Sequence, residues 1–383
     1  MPLGAQERQD IREAIQRICR DFGDEYWRGL DSAQSYPGEF VAALTGSGWL
    51  SILIPEEYGG GGMGIAEASV VLEEINRCGG NAAACHAQMY IMGTLLRHGS
   101  AEQRVRYLPG IAAGRARLQA FAITESEAGS DTTQIRTAAR RDGTDWVLNG
   151  QKTFISRVEQ SDLMLVLART GRDQEHRTRG LSVFLIELAA ARERMHWDRI
   201  PVMFNHHTYT VFFDEVRLPA DALVGQEGDG FRYILDGMNA ERILVASEAI
   251  GDGRFFVDRA VEYASRRITF GRPLASNQGV AFPLAQAYAG IEAADLARWA
   301  AAEAFDAGVP CGTQAGIAKL LASQASNQAG RAAVTAIGGM AFTVEMGVER
   351  KLREAQLLEV APVSNNLVLA YLAHNVLKLP RSF

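Results

Sequence analysis

The chain has 383 residues, with 39 Lys and Arg against 45 Asp and Glu and hence a formal net charge of −6. With 47% hydrophobic and 22% charged residues it has the make-up of a water-soluble globular protein, which excludes disordered and fibrous classes. The acidic balance is the wrong sign for non-specific binding to nucleic acid or a membrane surface. No apolar run approaches the roughly 18 residues of a membrane span, and no basic-then-apolar leader opens the chain. No nucleic-acid or membrane partner is therefore expected, and the expected compartment is the cytoplasm. Cys19, Cys78, Cys85 and Cys311 lie far apart with no CxxC, so neither a disulfide framework nor a metal site is expected.

In chain order, Ile11, Ile15, Ile18 and Phe22 recur at helical spacing. Phe40, Val41 and Leu44 continue the pattern until Pro55 to Gly62 breaks it with a glycine loop. Helices are expected from about Ala66 to Cys78 and from Ala82 to His98. Near residue 119 the period changes to that of strands. Asp142-Gly143 offers a turn between Arg136–Arg140 and Trp146–Leu148, and Asn149-Gly150 is a dipeptide that favours a tight type I′ turn. Leu163–Ala168, Leu181–Ile186 and Thr210–Val216 are further short apolar runs. From about Gly230 the helical period returns. Ile250–Arg266, Phe282–Ala307, Gln314–Ile337 and Asn365–Val376 read as four long helices of an antiparallel bundle. The expected fold is α+β: an N-terminal helical domain over 1–118, a middle β-barrel or sandwich-like domain over 119–228, and a C-terminal four-helix bundle over 229–383.

The densest chemistry lies in Thr124-Glu125-Ser126-Glu127-Ala128-Gly129-Ser130-Asp131. Hydroxyls and small residues in a turn leave backbone N–H groups and side-chain oxygens free to face phosphates or heterocycle edges. An ordinary polar loop, with Ser and Asp bonding their own backbone, has the same local chemistry. His206-His207 reads as a polar strand end and Gly59 to Gly62 as a plain turn. Glu349 and Arg353, four apart, read as a helical ion pair.

Four segments in order carry a resemblance to the acyl-CoA dehydrogenase family. TESEAGSD resembles its T-E-x-x-A/G-G-S-D loop, and Asn149-Gly150-Gln151-Lys152-Thr153-Phe154-Ile155-Ser156 its N-G-x-K-x-W-I-T/S strand. Arg267 to Pro273 with Gln278 resembles its R-x-x-F-G…Q segment, and Ile337-Gly338-Gly339 with Glu349 and Arg353-Glu354-Ala355 its last block. The resemblance implies FAD, held between the β domain and the bundle and partly across a subunit interface, in a homodimer or homotetramer. Phe121, Ile123, Thr124, Gly129, Ser130, Phe154, Ile155 and Ser156 would line the flavin, with Ser156 near N5. Arg267, Phe270, Gln278, Gly338 and Gly339 would hold the diphosphate and adenosine end of a neighbouring subunit's cofactor; Ser364 and Asn366 complete the implied set. Phe154 stands where most relatives have Trp, Gln134 where they have a small residue, and Ala341 where they have a later Gly.

The same resemblance implies α,β-dehydrogenation of an acyl-CoA or acyl-carrier-protein thioester, with an electron-transferring flavoprotein as acceptor. Many members place the base, a Glu, where this chain has Pro362. A subset including the isovaleryl- and long-chain-type enzymes takes it from an earlier bundle helix, in an E-R pair that matches Glu241-Arg242. Glu241 sits among Met238, Ile243, Leu244 and Val245, where a carboxylate is costly unless paired or functional, and it is the expected base. Ser130, Asn239, Arg242, Pro362 and Val363 would contact substrate. Pro362 has no N–H, so the Val363 N–H would replace the family's donor to the thioester carbonyl. Ala361 is small where relatives carry Tyr, which favours a bulky or branched acyl group. A flavin oxidase or monooxygenase, or a non-catalytic binding relative on the same fold, stays open on the sequence.

Overall fold

The computed structural model describes residues 4–171 and 178–381. In chain order its helices are α1 (Ala5–Cys19), α2 (Asp24–Ala33), α3 (Gly38–Gly46), α4 (Ile65–Arg77), α5 (Ala83–His98), α6 (Ala101–Ala112), α7 (Leu188–Ala191), α8 (Gly230–Arg266), α9 (Gln278–Asp306), α10 (Gly312–Ile337), α11 (Val348–Val360) and α12 (Asn365–Tyr371). Its strands are β1 (Leu118–Ala122), β2 (Ala138–Asp142), β3 (Asp145–Ser156), β4 (Leu163–Arg169), β5 (Leu181–Glu187), β6 (Met195–Ile200), β7 (Thr208–Leu218), β8 (Leu223–Val224), β9 (Ile268–Thr269) and β10 (Arg272–Pro273). The chain divides into two compact units. One comprises Tyr36–Met63 and Ala83–Met238; the other comprises Met1–Ser35, Gly64–Ala82 and Asn239–Phe383.

The sheet-containing unit is built on one eight-stranded sheet of order β6-β7-β3-β2-β4-β5-β8, with β1 parallel to β4. Strands β4 and β5 read as unbroken apolar runs because both of their faces are covered, which is the pattern of buried strands. Met164, Val166, Ala168, Phe184 and Ile186 point into one cluster with Trp146, Tyr209 and Val211. Leu163, Leu165, Leu167, Val183 and Leu185 point into a second cluster with Ile91, Leu95, Leu108 and Ile111 from α5 and α6. Helix α6, which the sequence reading left out, opens on a capping box: Ser100 Oγ accepts from Gln103 N (3.1 Å) and Gln103 Oε1 from Ser100 N (3.0 Å).

Two sequence expectations are corrected here. The Asp142-Gly143 turn does join β2 to β3, with Gly143 at φ 65° and Asp142 paired with Asp145. Asn149-Gly150, however, is not a turn but lies inside β3, at a register shift between Leu148 and Gly150 against β7. The Asn149 side chain is used across the sheet, its Oδ1 accepting from Glu215 N at 2.8 Å, and Gly150 absorbs the bulge at φ 146°. The second correction concerns the bundle. The helix expected over Asn365–Val376 does begin at Asn365, as α12, but α11 (Val348–Val360) precedes it and was not expected; the two are parted at 361–364, where Pro362 cannot donate the N–H that a continuing helix requires.

In the helical unit α9 and α10 are joined by the short segment 307–311, as antiparallel neighbours are. Buried charges there are matched rather than isolated. Glu73 on α4 is fully buried and receives Arg298 at 2.8 Å as well as Arg254. Lys351 on α11 is fully buried between Asp252 and Glu354. Removing one partner of such a pair strands a charge away from water.

Gly150 gives the direct test of the bulge. A Cβ there would lie 2.5 to 2.7 Å from Thr137, on a backbone conformation that side chains rarely adopt. Gly150→Ala is expected to lower stability by about 1–3 kcal/mol, read as a fall in the urea midpoint at unchanged slope.

Candidate active site

In the sheet-containing unit, the loop that follows β1 is fastened to β3 by a buried ion pair. Lys152, fully buried, donates through Nζ to Ile123 O (2.8 Å) and Glu125 Oε1 (2.9 Å). Glu125 also accepts from Arg136 N (2.6 Å) and Thr137 N (2.9 Å). Burial pushes the Lys152 ammonium down to about 8, against the pull of Glu125. Burial pushes the Glu125 carboxyl up, but Lys152 and the two peptide donors outweigh it and hold it below its ordinary value. Thr153 N donates to Thr124 O at 2.9 Å, so the TESEAGSD loop and the NGQKTFIS strand form one assembly.

The assembly presents a face. Gly129 and Ser130 are exposed at the loop tip, and nothing lies within 4 Å of a Cβ built on Gly129. Phe154 is held at φ 58° and Arg157 at φ 55°, both left-handed and both non-glycine. Such conformations persist only where surrounding structure imposes them, and they concentrate at functional sites. They turn the Phe154 ring out, 64% exposed, beside the partly exposed Ser156. Ile155 is buried, so any contact it makes with a ligand falls to its peptide group. Phe121 and Ile123 pack against the core, Phe121 with its ring 6.3 Å from that of Tyr90.

One residue that sequence reading set aside belongs to this face. His206 is not a free polar strand end: its Nε2 lies 2.8 Å from Ser156 Oγ, and its Nδ1 lies 3.4 Å from Arg157 Nη2. The register of β3 against β7, with Ser156 opposite Thr208, brings it there. Adjacent histidines read as a period-2 pattern carry no such signal.

In the helical unit Glu241 is 7% exposed, on a stretch of α8 where Ala240, Ile243, Leu244 and Val245 are also buried. Its neighbour Arg242 donates from Nη2 to Asn239 Oδ1 at 2.7 Å. Burial lowers the Arg242 guanidinium, while the charge of Glu241 works in the opposite direction. The 361–364 break is organised by the fully buried Lys319, whose Nζ donates to Glu359 O (3.1 Å), Val363 O (2.9 Å) and Asn365 Oδ1 (2.9 Å). Among the described residues the Val363 N–H has no acceptor. Ser364 Oγ caps α12, accepting from Leu367 N at 3.3 Å, and Asn366 is exposed.

Arg267, Phe270, Gln278, Gly338 and Gly339 gather at the opposite end of α8. Arg267 follows its last residue, and Phe270-Gly271, at φ 53° and 80°, forms the β9–β10 turn and leads to Gln278 at the start of α9. Because α9 and α10 are antiparallel, Gly338 at the end of α10 lies at the same end. At 1.5 Å per residue, the 25 positions from Glu241 to Arg266 span about 38 Å of helix. The five residues thus form a group of their own, far from Glu241 in the same chain.

The donor sets of the two groups differ in kind. Peptide N–H groups, a serine hydroxyl and an outward aromatic ring suit a flat heterocycle. An exposed arginine with open glycines, near the start of a 29-residue helix, suits a diphosphate. Among the described residues no group of three His, Cys, Asp or Glu could hold a metal ion, and no helix is long and apolar enough to cross a membrane.

Comparison with known proteins agrees with this division. Residues 5–115, 120–216 and 228–376 match the family models described as acyl-CoA dehydrogenase N-terminal, middle and C-terminal domains. An acyl-CoA dehydrogenase of Mycobacterium tuberculosis is 38% identical over 100% of this chain and 98% of its own length. Among solved structures, the glutaryl-coenzyme A dehydrogenase–glutaryl-CoA complex is 28% identical, with a TM-score of 0.91 over 99% of this chain and 97% of that one. A chain from work on the electron transferring flavoprotein of Acidaminococcus fermentans is 27% identical, with a TM-score of 0.93 over 99% of this chain and 100% of that one. Helical, sheet and helical domains in this order define a flavin oxidoreductase fold. The chain belongs to the acyl-CoA dehydrogenase family.

The ion pair that fastens the loop is testable apart from catalysis. Lys152→Met leaves Glu125 without its cation and is expected to lower stability by about 3 kcal/mol or more. Adding Glu125→Leu should recover part of that loss, as measured by urea unfolding of the two variants.

Proposed function

We propose that this protein removes the α- and β-hydrogens of an acyl thioester, forming the trans-2-enoyl product, with Glu241 as the base for the α-proton. The observation that supports the reading is a buried carboxylate, Glu241, on the early half of α8, in a chain that has Pro362 where many relatives have their base. A carboxylate shielded from water is a stronger base toward the weakly acidic α-proton than one in solvent. The bound cofactor in this reading is FAD, and the chemistry it supplies is acceptance of the β-hydride at N5. Thr124, Gly129, Ser130, Phe154, Ser156 and the peptide of Ile155 would hold its ring, with Phe121 and Ile123 supporting the loop from the core.

The Val363 N–H would donate to the thioester carbonyl, a bond that strengthens as negative charge develops on the oxygen, and the Lys319 contacts hold that turn in place. Asn239 orients Arg242 beside the base. The small Ala361 favours a bulky or branched acyl group, carried on coenzyme A or an acyl-carrier protein. An electron-transferring flavoprotein is the proposed next acceptor. Arg267, Phe270, Gln278, Gly338 and Gly339 would serve the cofactor of a second subunit in a homodimer or homotetramer, and Ser364 and Asn366, at the start of α12, would complete the cofactor contacts. Phe270 is fully exposed and Phe342 is 70% exposed at that end of the bundle, as a surface covered by another copy would be.

Glu241→Gln should leave FAD bound while slowing anaerobic bleaching of the flavin by acyl-CoA by at least about 10²-fold. Glu248→Gln, two turns further along the same helix, should bleach at the wild-type rate. Unimpaired bleaching in Glu241→Gln would remove Glu241 from the mechanism.

A further inference from the structure

His206 stands between two side chains with opposite demands. Arg157 Nη2, 3.4 Å from His206 Nδ1, has hydrogens to give and no lone pair to receive one. A His206 protonated at Nδ1 would turn N–H against N–H, so Nδ1 must be the accepting nitrogen. Burial, reinforced by Arg157, His207 and His86, holds the imidazole well below its ordinary value, so the ring is neutral. A neutral imidazole carries one hydrogen, and with Nδ1 accepting, that hydrogen is on Nε2. Nε2 faces Ser156 Oγ at 2.8 Å and is therefore the donor, which makes the serine oxygen the acceptor in that bond. The hydroxyl hydrogen of Ser156 then points elsewhere, and among the described residues Ser156 Oγ has no other partner.

We propose that His206 is a positioning residue that fixes Ser156 as a hydrogen-bond donor toward the flavin, its tautomer set by Arg157. The inference rests on the proposed reading of Ser156 beside the flavin ring and adds what determines the direction of its hydrogen bond. An acceptor at position 206 would reverse that direction: the serine would donate to it and offer the flavin only lone pairs. The left-handed backbone of Arg157 serves the same arrangement, since its N–H donates to His207 O at 2.7 Å and holds the histidine pair against the strand.

The test uses FAD-loaded protein and reads the flavin, not turnover. Gln at 206 can donate its amide hydrogen to Ser156 and accept from Arg157, so His206→Gln should keep the wild-type midpoint potential and visible spectrum. Glu at 206 can only accept, so His206→Glu should shift the potential in the same direction as Ser156→Ala and by at least half as much. A shift in Ser156→Ala with none in His206→Glu would overturn the proposal, as would equal shifts in the Gln and Glu variants. If His206→Glu does not fold, the tautomer is read directly in wild type from the nitrogen shifts of ¹⁵N-histidine-labelled protein, with His206→Gln identifying the resonance. Hydrogen on Nε2 supports the proposal and hydrogen on Nδ1 overturns it. Protein that cannot be loaded with FAD at all would instead overturn the reading of the site, a result distinct from FAD-bound protein in which His206 proves indifferent.

Discussion

The length of one helix constrains everything proposed for this protein. Helix α8 runs without interruption over 37 residues, with Glu241 in its early half and Arg267 immediately after its end. A rigid rod of that length holds the two groups about 38 Å apart. No side-chain rearrangement brings them to one ligand, so within a single chain they serve different ligand ends or different copies of the ligand. Assembly with a second copy reconciles them: the far end of each bundle, with its exposed Phe270, would complete the site of a neighbour. A homo-oligomer then becomes a requirement of the proposed chemistry rather than an addition to it.

The sheet-containing unit meets a different demand, the presentation of polar groups on a face that must not collapse. Its solution is to bury a cation. Lys152 gathers the Ile123 carbonyl and the Glu125 carboxylate, and Glu125 in turn holds two peptide N–H groups. The loop tip at Gly129 and Ser130 is thereby left exposed. On the adjoining edge two left-handed residues, Phe154 and Arg157, turn one ring outward and bring one guanidinium to His206. Strain of this kind is sustained by the strands around it, β3 and β7, whose pairing is irregular at the same place.

Much of this was legible in the sequence, because periodicity and motif order report local structure directly. The short unbroken apolar runs of β4 and β5 and the 3.6-residue periods of α4, α5 and α9 appear where apolar content and spacing place them. Three features escaped. Asn149-Gly150 carries turn chemistry, yet the partner strand captures the Asn149 side chain, and a glycine serves a bulge as well as a turn. Helix α11 was not expected, because its charged run buries Arg350, Lys351 and Glu354 as ion pairs instead of showing a plain apolar stripe. His206 acts across a strand pair, and contacts between residues 50 positions apart leave no trace in local spacing. For the candidate site, the motif residues were visible one by one. What was not visible is that Glu125 and Lys152, which no ligand role required, bind two motifs into one face.

The division of labour along α8 is tested most directly by mixing subunits. Glu241→Gln removes the proposed base and Arg267→Glu the proposed diphosphate contact, so assemblies of either variant alone should not reduce their flavin with acyl-CoA. Coexpressed, the two variants should form mixed assemblies in which some sites combine an intact Glu241 with an intact Arg267, and anaerobic flavin bleaching should reappear. A coexpressed sample no more active than its parents would contradict the account, because the two groups would then have to act within one chain.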